Sequence, residues 1–224
     1  PVDIEQPELK SNFAEKNFRE WGRVLAEDIF SVDSYENGWI NSAELFLNRK
    51  KHRIVNSNGL DVSYKNYTAF LEVITNWKEP GKEEVELYKT LNFANYDPVK
   101  IKDEINKMLK MTEEKAKAKS LPSLKNIPVI LSGEPVHKFL DFYYKQANSM
   151  SKYEQLSVAE KGENIQGEKV IGDKISLSLK PFLEGSTKSA PYDRDGYPLQ
   201  EVNIYDKGIL KTYWGRKRYS YYLN

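Results

Sequence analysis

Residues 167–210 constrain the fold more than any other part of this sequence. Apolar residues alternate with polar ones at Ile175, Leu177 and Leu179, which is the period of a strand with one buried face. The same run predicts two further strands, over residues 199–205 and 209–214. Because residues 206–208 read Asp-Lys-Gly, a tight-turn sequence, the last two strands are predicted to form a hairpin. The stretch is therefore typical of a small antiparallel β meander.

The first half of the chain predicts a second meander, bracketed by two helices. Asn12 and Glu15 form a capping-box pattern, which predicts a helix over residues 12–30. Asp97 followed by Pro98 is an N-cap with a proline at the first helical position, which predicts the start of the second helix. Between them, strands are predicted over residues 43–47, 52–56, 60–64, 68–77 and 84–93. Residues 58–59, Asn-Gly, predict a type I′ turn between two of these strands.

A Pro/Ser break at residues 120–123 predicts the domain boundary. Residues 1–122 then form a meander domain, and residues 123–224 form a second, β-rich domain. A short strand over residues 127–131 and a helix from Glu134 open this second part. The predicted fold class is α+β: a helix-bracketed antiparallel β meander, then a second β-rich domain opened by one strand and one helix.

Composition excludes several classes of protein. The chain has 224 residues, 39% hydrophobic and 30% charged, with a net charge of +1, so no global charge favours nucleic acid or a membrane surface. No apolar run approaches the ~20 residues that span a bilayer. The absence of cysteine excludes disulfides and thiolate chemistry and fits a cytoplasmic protein. The two histidines, His52 and His137, lie far apart in the sequence.

Four stretches, taken in order, resemble the TldD/PmbA family, which contains a zinc peptidase and its partner subunit. They are residues 53–60, 127–131, 167–170 and 192–210. The resemblance implies a role in proteolysis of peptides or unstructured polypeptides, a cytoplasmic location and a homo- or heterodimer with a TldD/PmbA-type subunit. It also brings the family's other name, modulator of DNA gyrase. By the same resemblance, residues 1–122 are expected to be the central domain and residues 123–224 the first part of the β-rich C-terminal domain of peptidase type. Since family members carry a further small domain before the first helix and more β structure after residue 224, the chain is expected to be an internal piece or a shortened relative.

The family's catalytic motif is missing. The peptidase member carries HExxxH on the helix after the strand that resembles residues 127–131, with a further ligand near its C-terminus. Here no glutamate follows His137 and no second histidine lies one turn on. The resemblance then favours the non-catalytic PmbA/TldE-like type, with no catalytic residue and no cofactor, zinc being the metal of catalytic relatives.

The two histidines are weak metal ligands on chemical grounds. A hydrolytic zinc site needs about three protein ligands and an open position for water. His137 has Asp141 at the i+4 position, so this pair is a weak candidate that lacks a third ligand. His52 lies among cations that oppose a metal. The neighbouring Lys50, Lys51 and Arg53 are interpreted as a solvated strand edge.

The acidic turn at residues 193–196 invites a calcium interpretation. An EF-hand loop needs acidic ligands at positions 1, 3 and 5, Gly at 6 and Glu at 12. Counted from Asp193, Gly196 falls at position 4 and Ile204 at position 12, so the template fails. Asp193, Asp195 and Gly196 are therefore interpreted as a structural turn, and the resemblance implies that this turn is a hallmark of the family.

The tail, residues 213–224, interleaves aromatic residues with Arg216, Lys217 and Arg218. Aromatic stacking with phosphate contacts would suit single-stranded nucleic acid, but one short basic patch is poor evidence for it. An aromatic strand packed on the sheet is the simpler expectation. Two alternatives to a non-catalytic peptide-handling protein stay open: an active zinc metallopeptidase with ligands outside the usual motif, and a β-rich module that binds nucleic acid or carbohydrate.

Overall fold

The computed structural model describes residues 8–223, without the side chain of Ser220, and divides them into two compact units. The first unit contains the described residues up to Pro122 together with Pro181–Leu199. The second contains Ser123–Lys180 and the described residues from Gln200 onward. The sequence division at residue 122 did not anticipate that Pro181–Leu199 packs with the first unit.

The first unit contains a short 3₁₀ turn, Asn12–Ala14, and two helices, α1 Phe18–Phe30 and α2 Pro98–Lys117. The predicted capping box at Asn12 is wrong. The side chain of Asn17 accepts from the backbone N–H of Glu20, whose carboxylate accepts from the N–H of Asn17, so the helix begins one turn later. The predicted start of α2 is confirmed, since Asp97 caps the N–H of Lys100.

The sheet of the first unit has three antiparallel strands in the order β1-β2-β3, namely β1 Gly38–Val55, β2 Asp61–Trp77 and β3 Val85–Phe93. The predicted breaks within β1 and β2 are wrong, because the two strands pair through the polar stretches that interrupt the apolar alternation. β3 pairs only with Ala69–Trp77 of β2. Residues 48–55 and 61–68 therefore extend beyond β3 as a two-stranded ribbon, which we name the distal ribbon.

The turn at the tip of the distal ribbon is not type I′, which needs positive φ at both central residues. Only Gly59 has positive φ, at +86°. The N–H of Gly59 donates to the Asn56 carbonyl at 3.3 Å, and the N–H of Asn56 donates to the Leu60 carbonyl at 3.1 Å. The Asn56 side chain accepts from the N–H groups of Asn58 and Leu60, which favours this longer loop.

Both helices pack against the sheet and enclose the core of the first unit. Leu71 on β2, Leu25 on α1 and Leu109 on α2 are each 0% exposed. Burying such a side chain stabilises the fold by about 1.5–3 kcal/mol. Inside this core the Thr75 and Thr112 hydroxyls are 2.6 Å apart, and Thr112 donates to the Met108 carbonyl. The Thr75 hydroxyl therefore donates to Thr112.

The second unit has three helices, α3 Glu134–Gln146, α4 Ser149–Tyr153 and α5 Lys217–Tyr222. Its sheet has three antiparallel strands, β4 Leu177–Leu179, β5 Val202–Asp206 and β6 Ile209–Leu210. The predicted hairpin is confirmed: Lys207 and Gly208 both have positive φ in the turn between β5 and β6. The core contains Ala147, Ala159, Ile204, Tyr205 and Leu210.

Two elements predicted for this unit differ. Residues 127–131 form no strand; within residues 8–223 their backbone pairs with no strand, and Ile130 is 94% exposed. The tail is not an aromatic strand, because residues 217–222 form α5; its last residue, Asn224, lies outside the described residues. The α+β class itself is confirmed, with two separate antiparallel sheets and helices. No helix in the described part of the chain is long and apolar enough to cross a membrane.

Candidate functional site

Helix α3 carries the one pair of residues that the sequence offers for a metal. Pro135 lies in the first turn of this helix, and no side chain of the helix is buried. His137 is exposed, and its neighbour Lys138 pairs with Glu134 at 2.8 Å. This hydrogen bond and the charge of Lys138 lower the pKa of the Glu134 carboxyl, so Glu134 stays ionised beside a cation. The position of a catalytic glutamate, residue 138, is thus occupied by a lysine that is paired with Glu134, one turn earlier on the helix.

Asp141 lies one turn after His137 but is already paired. Its Oδ2 is 2.5 Å from the Nζ of Lys145, the next i+4 neighbour on the helix. The following residue, Phe142, has no ligand atom and is 50% exposed. His137 and Asp141 therefore share a helix face without a third donor.

The donor set does not fit a zinc ion. No group of three or more His, Cys, Asp or Glu side chains that could hold a metal occurs among residues 8–223. A catalytic zinc takes three protein ligands and keeps one position for water. One imidazole and one lysine-paired carboxylate fall short of that set.

The family turn, Tyr192–Pro198, is a hairpin held by its own aspartate. The Asp193 Oδ1 atom accepts from the N–H of Asp195 at 2.9 Å and from the N–H of Tyr197 at 2.8 Å. The N–H of Asp193 donates to the Tyr197 carbonyl at 2.9 Å, and Gly196 has φ of +82°. Since the Asp193 carboxylate is used inside the turn and Asp195 is exposed, the arrangement has a structural use.

This turn repeats the hydrogen bonds of the distal ribbon's tip, and the two tips touch. The side-chain oxygen of Asn56 or Asp193 accepts from the N–H groups two and four residues on. The N–H of Gly59 or Gly196 donates to the backbone carbonyl of that same residue. A Cβ atom on Gly196 would lie 2.2 Å from the Leu60 Cδ2 atom and 3.4 Å from the Ile54 Cγ2 atom. Because Gly196 has no Cβ atom, the Leu60 side chain packs closely against it, and the family turn contacts the ribbon within the first unit.

A cavity of about 370 Å³ lies where the loop of residues 182–189 meets the rest of the first unit. The Ala94 N–H donates to the Gly185 carbonyl at 3.3 Å, which joins this loop to the end of β3. Asn66 lines the cavity, and its buried Oδ1 atom has no hydrogen-bond partner in the described structure. Sequence reasoning missed this cavity, because a polar Gly- and Ser-containing loop gives no signal of where it packs.

The tail residues lie on α5 in the second unit. Arg216 is the N-cap, and the Arg218 guanidinium lies 5.4 Å from the centre of the Tyr219 ring. Tyr222 stacks on Tyr153 of α4 at 5.2 Å. These contacts show that the aromatic rings of the tail pack partly on one another. They do not test the binding role of Arg216, Lys217 and Arg218, which stays a prediction.

The chain is similar to known proteins in sequence over its second half and in fold over nearly all of its length. Residues 124–224 match the family model described as the PmbA/TldA metallopeptidase C-terminal domain. No curated protein matches the chain by sequence. The fold is shared with a Thermotoga maritima protein whose name calls it a candidate modulator of a DNA gyrase, at a TM-score of 0.72 and 16% identity. That match covers 98% of this chain and 51% of the other.

Two further solved structures have the same fold. TldE from Thermococcus kodakarensis matches at a TM-score of 0.69 and 14% identity, over 97% of this chain and 50% of its own. A Bacteroides thetaiotaomicron protein, also named as a candidate modulator of DNA gyrase, matches at 0.71 and 16% identity, over 99% and 51%. The chain thus spans about half the length of these structures. The family model thus places residues 124–224 in the TldD/PmbA family, and nearly the whole chain shares the fold of TldE and of the two candidate modulators.

Proposed function

We propose that this chain handles peptides or unstructured polypeptides as a non-catalytic member of its family, either as a partner subunit or as a degenerate relative that lacks HExxxH. The donor set on α3 carries the proposal. Lys138 follows His137 and pairs with Glu134, and Asp141 pairs with Lys145. A helix of this composition offers one imidazole where a hydrolytic zinc needs three ligands and a base.

Cytoplasmic location and a homo- or heterodimer with a TldD/PmbA-type subunit belong to the same proposal. A non-catalytic subunit acts by binding substrate or by completing a partner, and an extended peptide can bind by adding a strand to an open sheet edge. Light scattering of the purified chain, alone and mixed with a catalytic family member, tests the assembly. A monomer in both samples would contradict this part.

The decisive experiment measures binding and cleavage on one substrate. Fluorescein-labelled casein, an unstructured polypeptide, is mixed with the chain with and without added Zn²⁺. We expect a rise in fluorescence anisotropy on binding and no release of small labelled fragments. Zinc-dependent cleavage that is lost in His137→Ala and kept in His52→Ala would establish an active zinc peptidase instead. His52 is the matched control because it is the only other histidine.

A further inference from the structure

The distal ribbon combines a free strand edge with an uncompensated positive charge. β1 is an edge strand, and in residues 8–223 it pairs with β2 alone. No backbone hydrogen bond outside the sheet ladder involves residues 48–55 in that part of the chain. The outward N–H and C=O groups of this edge are therefore open to an added strand.

Four cations of the ribbon have no carboxylate partner among the described ion pairs: Arg49, Lys50, Lys51 and Lys65. Arg53 differs, because its guanidinium donates to both oxygens of Asp61 at 2.8 and 2.7 Å. This pair raises the pKa of Arg53 and lowers that of Asp61, so Asp61 is not available to the other cations.

Lys51 and Lys65 stand directly opposite each other in the strand register. Like charges in this position destabilise a sheet unless an anion lies between them. The two lysines line a cavity of about 290 Å³, together with Ser63, Tyr64 and Tyr192. Glu8 lines it too, but forms no ion pair with either lysine. The ribbon thus offers a basic site over the β1–β2 pair, which Lys51 joins to the open edge strand.

We infer that the distal ribbon binds an acidic peptide in extended conformation, added as a strand on the free edge of β1, with a glutamate carboxylate next to Lys51 and within reach of the long side chain of Lys65. Edge lysines normally prevent sheets of identical chains from pairing, so they disfavour a second copy here. The same charges attract a strand that carries Asp or Glu. Four cations are fewer than the 6–10 phosphate contacts typical of a duplex-binding protein, which disfavours nucleic acid.

This inference rests on the proposed function, since it specifies acidic peptides as the polypeptides that are handled. The test uses the full chain and two labelled twelve-residue peptides, one with alternating glutamate and one with glutamine at the same positions. We expect the glutamate peptide to bind at least about tenfold more tightly, which corresponds to about 1.4 kcal/mol. The affinity should fall as salt is raised.

Two double variants with the same change of charge test whether the glutamate peptide binds at Lys51 and Lys65. Lys51→Gln/Lys65→Gln should lose at least about tenfold in affinity for the glutamate peptide. Lys82→Gln/Lys119→Gln removes the same charge from two exposed lysines elsewhere in the first unit and should change nothing. Glu8→Gln should tighten binding, because it removes a negative charge from the same cavity.

Hydrogen exchange tests the added strand. The glutamate peptide should protect amides of residues 48–55 and leave the other edge, β3, unchanged. Equal affinity for the two peptides, or equal loss in both double variants, would overturn the inference. Tighter binding of a short oligonucleotide through the same lysines would overturn it in favour of nucleic acid. If the glutamine peptide and casein still bind, the proposed function survives; if neither they nor the glutamate peptide bind, both fail.

Discussion

Gly196 offers a direct test of the contact between the family turn and the distal ribbon. Its φ of +82° is a conformation that a residue with a Cβ adopts only under strain. In Gly196→Ala the new methyl group would also lie 2.2 Å from the Leu60 Cδ2 atom. Gly59→Ala is the matched control, because Gly59 has φ of +86° in a turn with the same hydrogen bonds and open space around it.

The expected costs follow from these two features. A left-handed conformation costs an L-residue roughly 1–2 kcal/mol, and both variants carry this cost. Forcing an extra methyl group into a filled site adds about 1–3 kcal/mol. Leu60 is half-buried and its side chain can shift, so the lower end of that range applies. We therefore expect Gly196→Ala to lower the free energy of unfolding by about 1 kcal/mol more than Gly59→Ala does.

Urea unfolding followed by circular dichroism measures both variants and the wild type. Leu60→Ala and the double variant Gly196→Ala/Leu60→Ala complete the cycle. Removing the Leu60 side chain should make Gly196→Ala cost no more than Gly59→Ala. Equal costs for Gly196→Ala and Gly59→Ala in the wild-type background would refute the contact and leave the family turn as an isolated hairpin.

Three further predictions concern stability and titration. Leu109→Ala, at a fully buried site, should cost about 2–5 kcal/mol in urea unfolding, whereas Val99→Ala, where the side chain is 76% exposed, should stay within about 0.5 kcal/mol of the wild type. Thr75→Val removes the donor to Thr112 and should cost about 1 kcal/mol, and a second change, Thr112→Val, should cost less in that background than alone; additive costs would contradict the hydrogen bond. Burial raises the pKa of Tyr205 to about 12, so the unfolded chain loses this proton first and stability should fall between pH 10 and 12. Absorbance at 295 nm checks the titration, and Tyr205→Phe should flatten the fall; an unchanged slope would contradict it.

Local signals in the sequence predicted the features that depend on a few neighbouring residues. The cap at Asp97, the proline-led start of α3 and the turn between β5 and β6 were all readable, because each depends on backbone geometry within four residues. The α+β class followed from the change of apolar period along the chain. The capping box was misplaced, since Asn12 instead bonds both ways with the backbone of Tyr96, a contact that no local pattern contains.

The errors over β1 and over residues 127–131 have a common cause in long-range pairing. β1 continues through residues 49–53, although their charges break the alternation, because β2 supplies a partner at every position. Residues 127–131 have the apolar sequence of a strand, but no strand in the described part of the chain pairs with them, so they form none. At the candidate site, the spacing of His137 and Asp141 was readable, whereas the pairing of Asp141 with Lys145 and the approach of Gly196 to Leu60 needed coordinates.

Metal analysis of the purified chain tests the central claim most directly. After incubation with Zn²⁺ and desalting, inductively coupled plasma mass spectrometry gives the molar ratio of zinc to protein. The donor set on α3 predicts a ratio far below one, with no difference between the wild type and His137→Ala. One zinc per chain, lost in His137→Ala and retained in His52→Ala, would contradict the non-catalytic assignment.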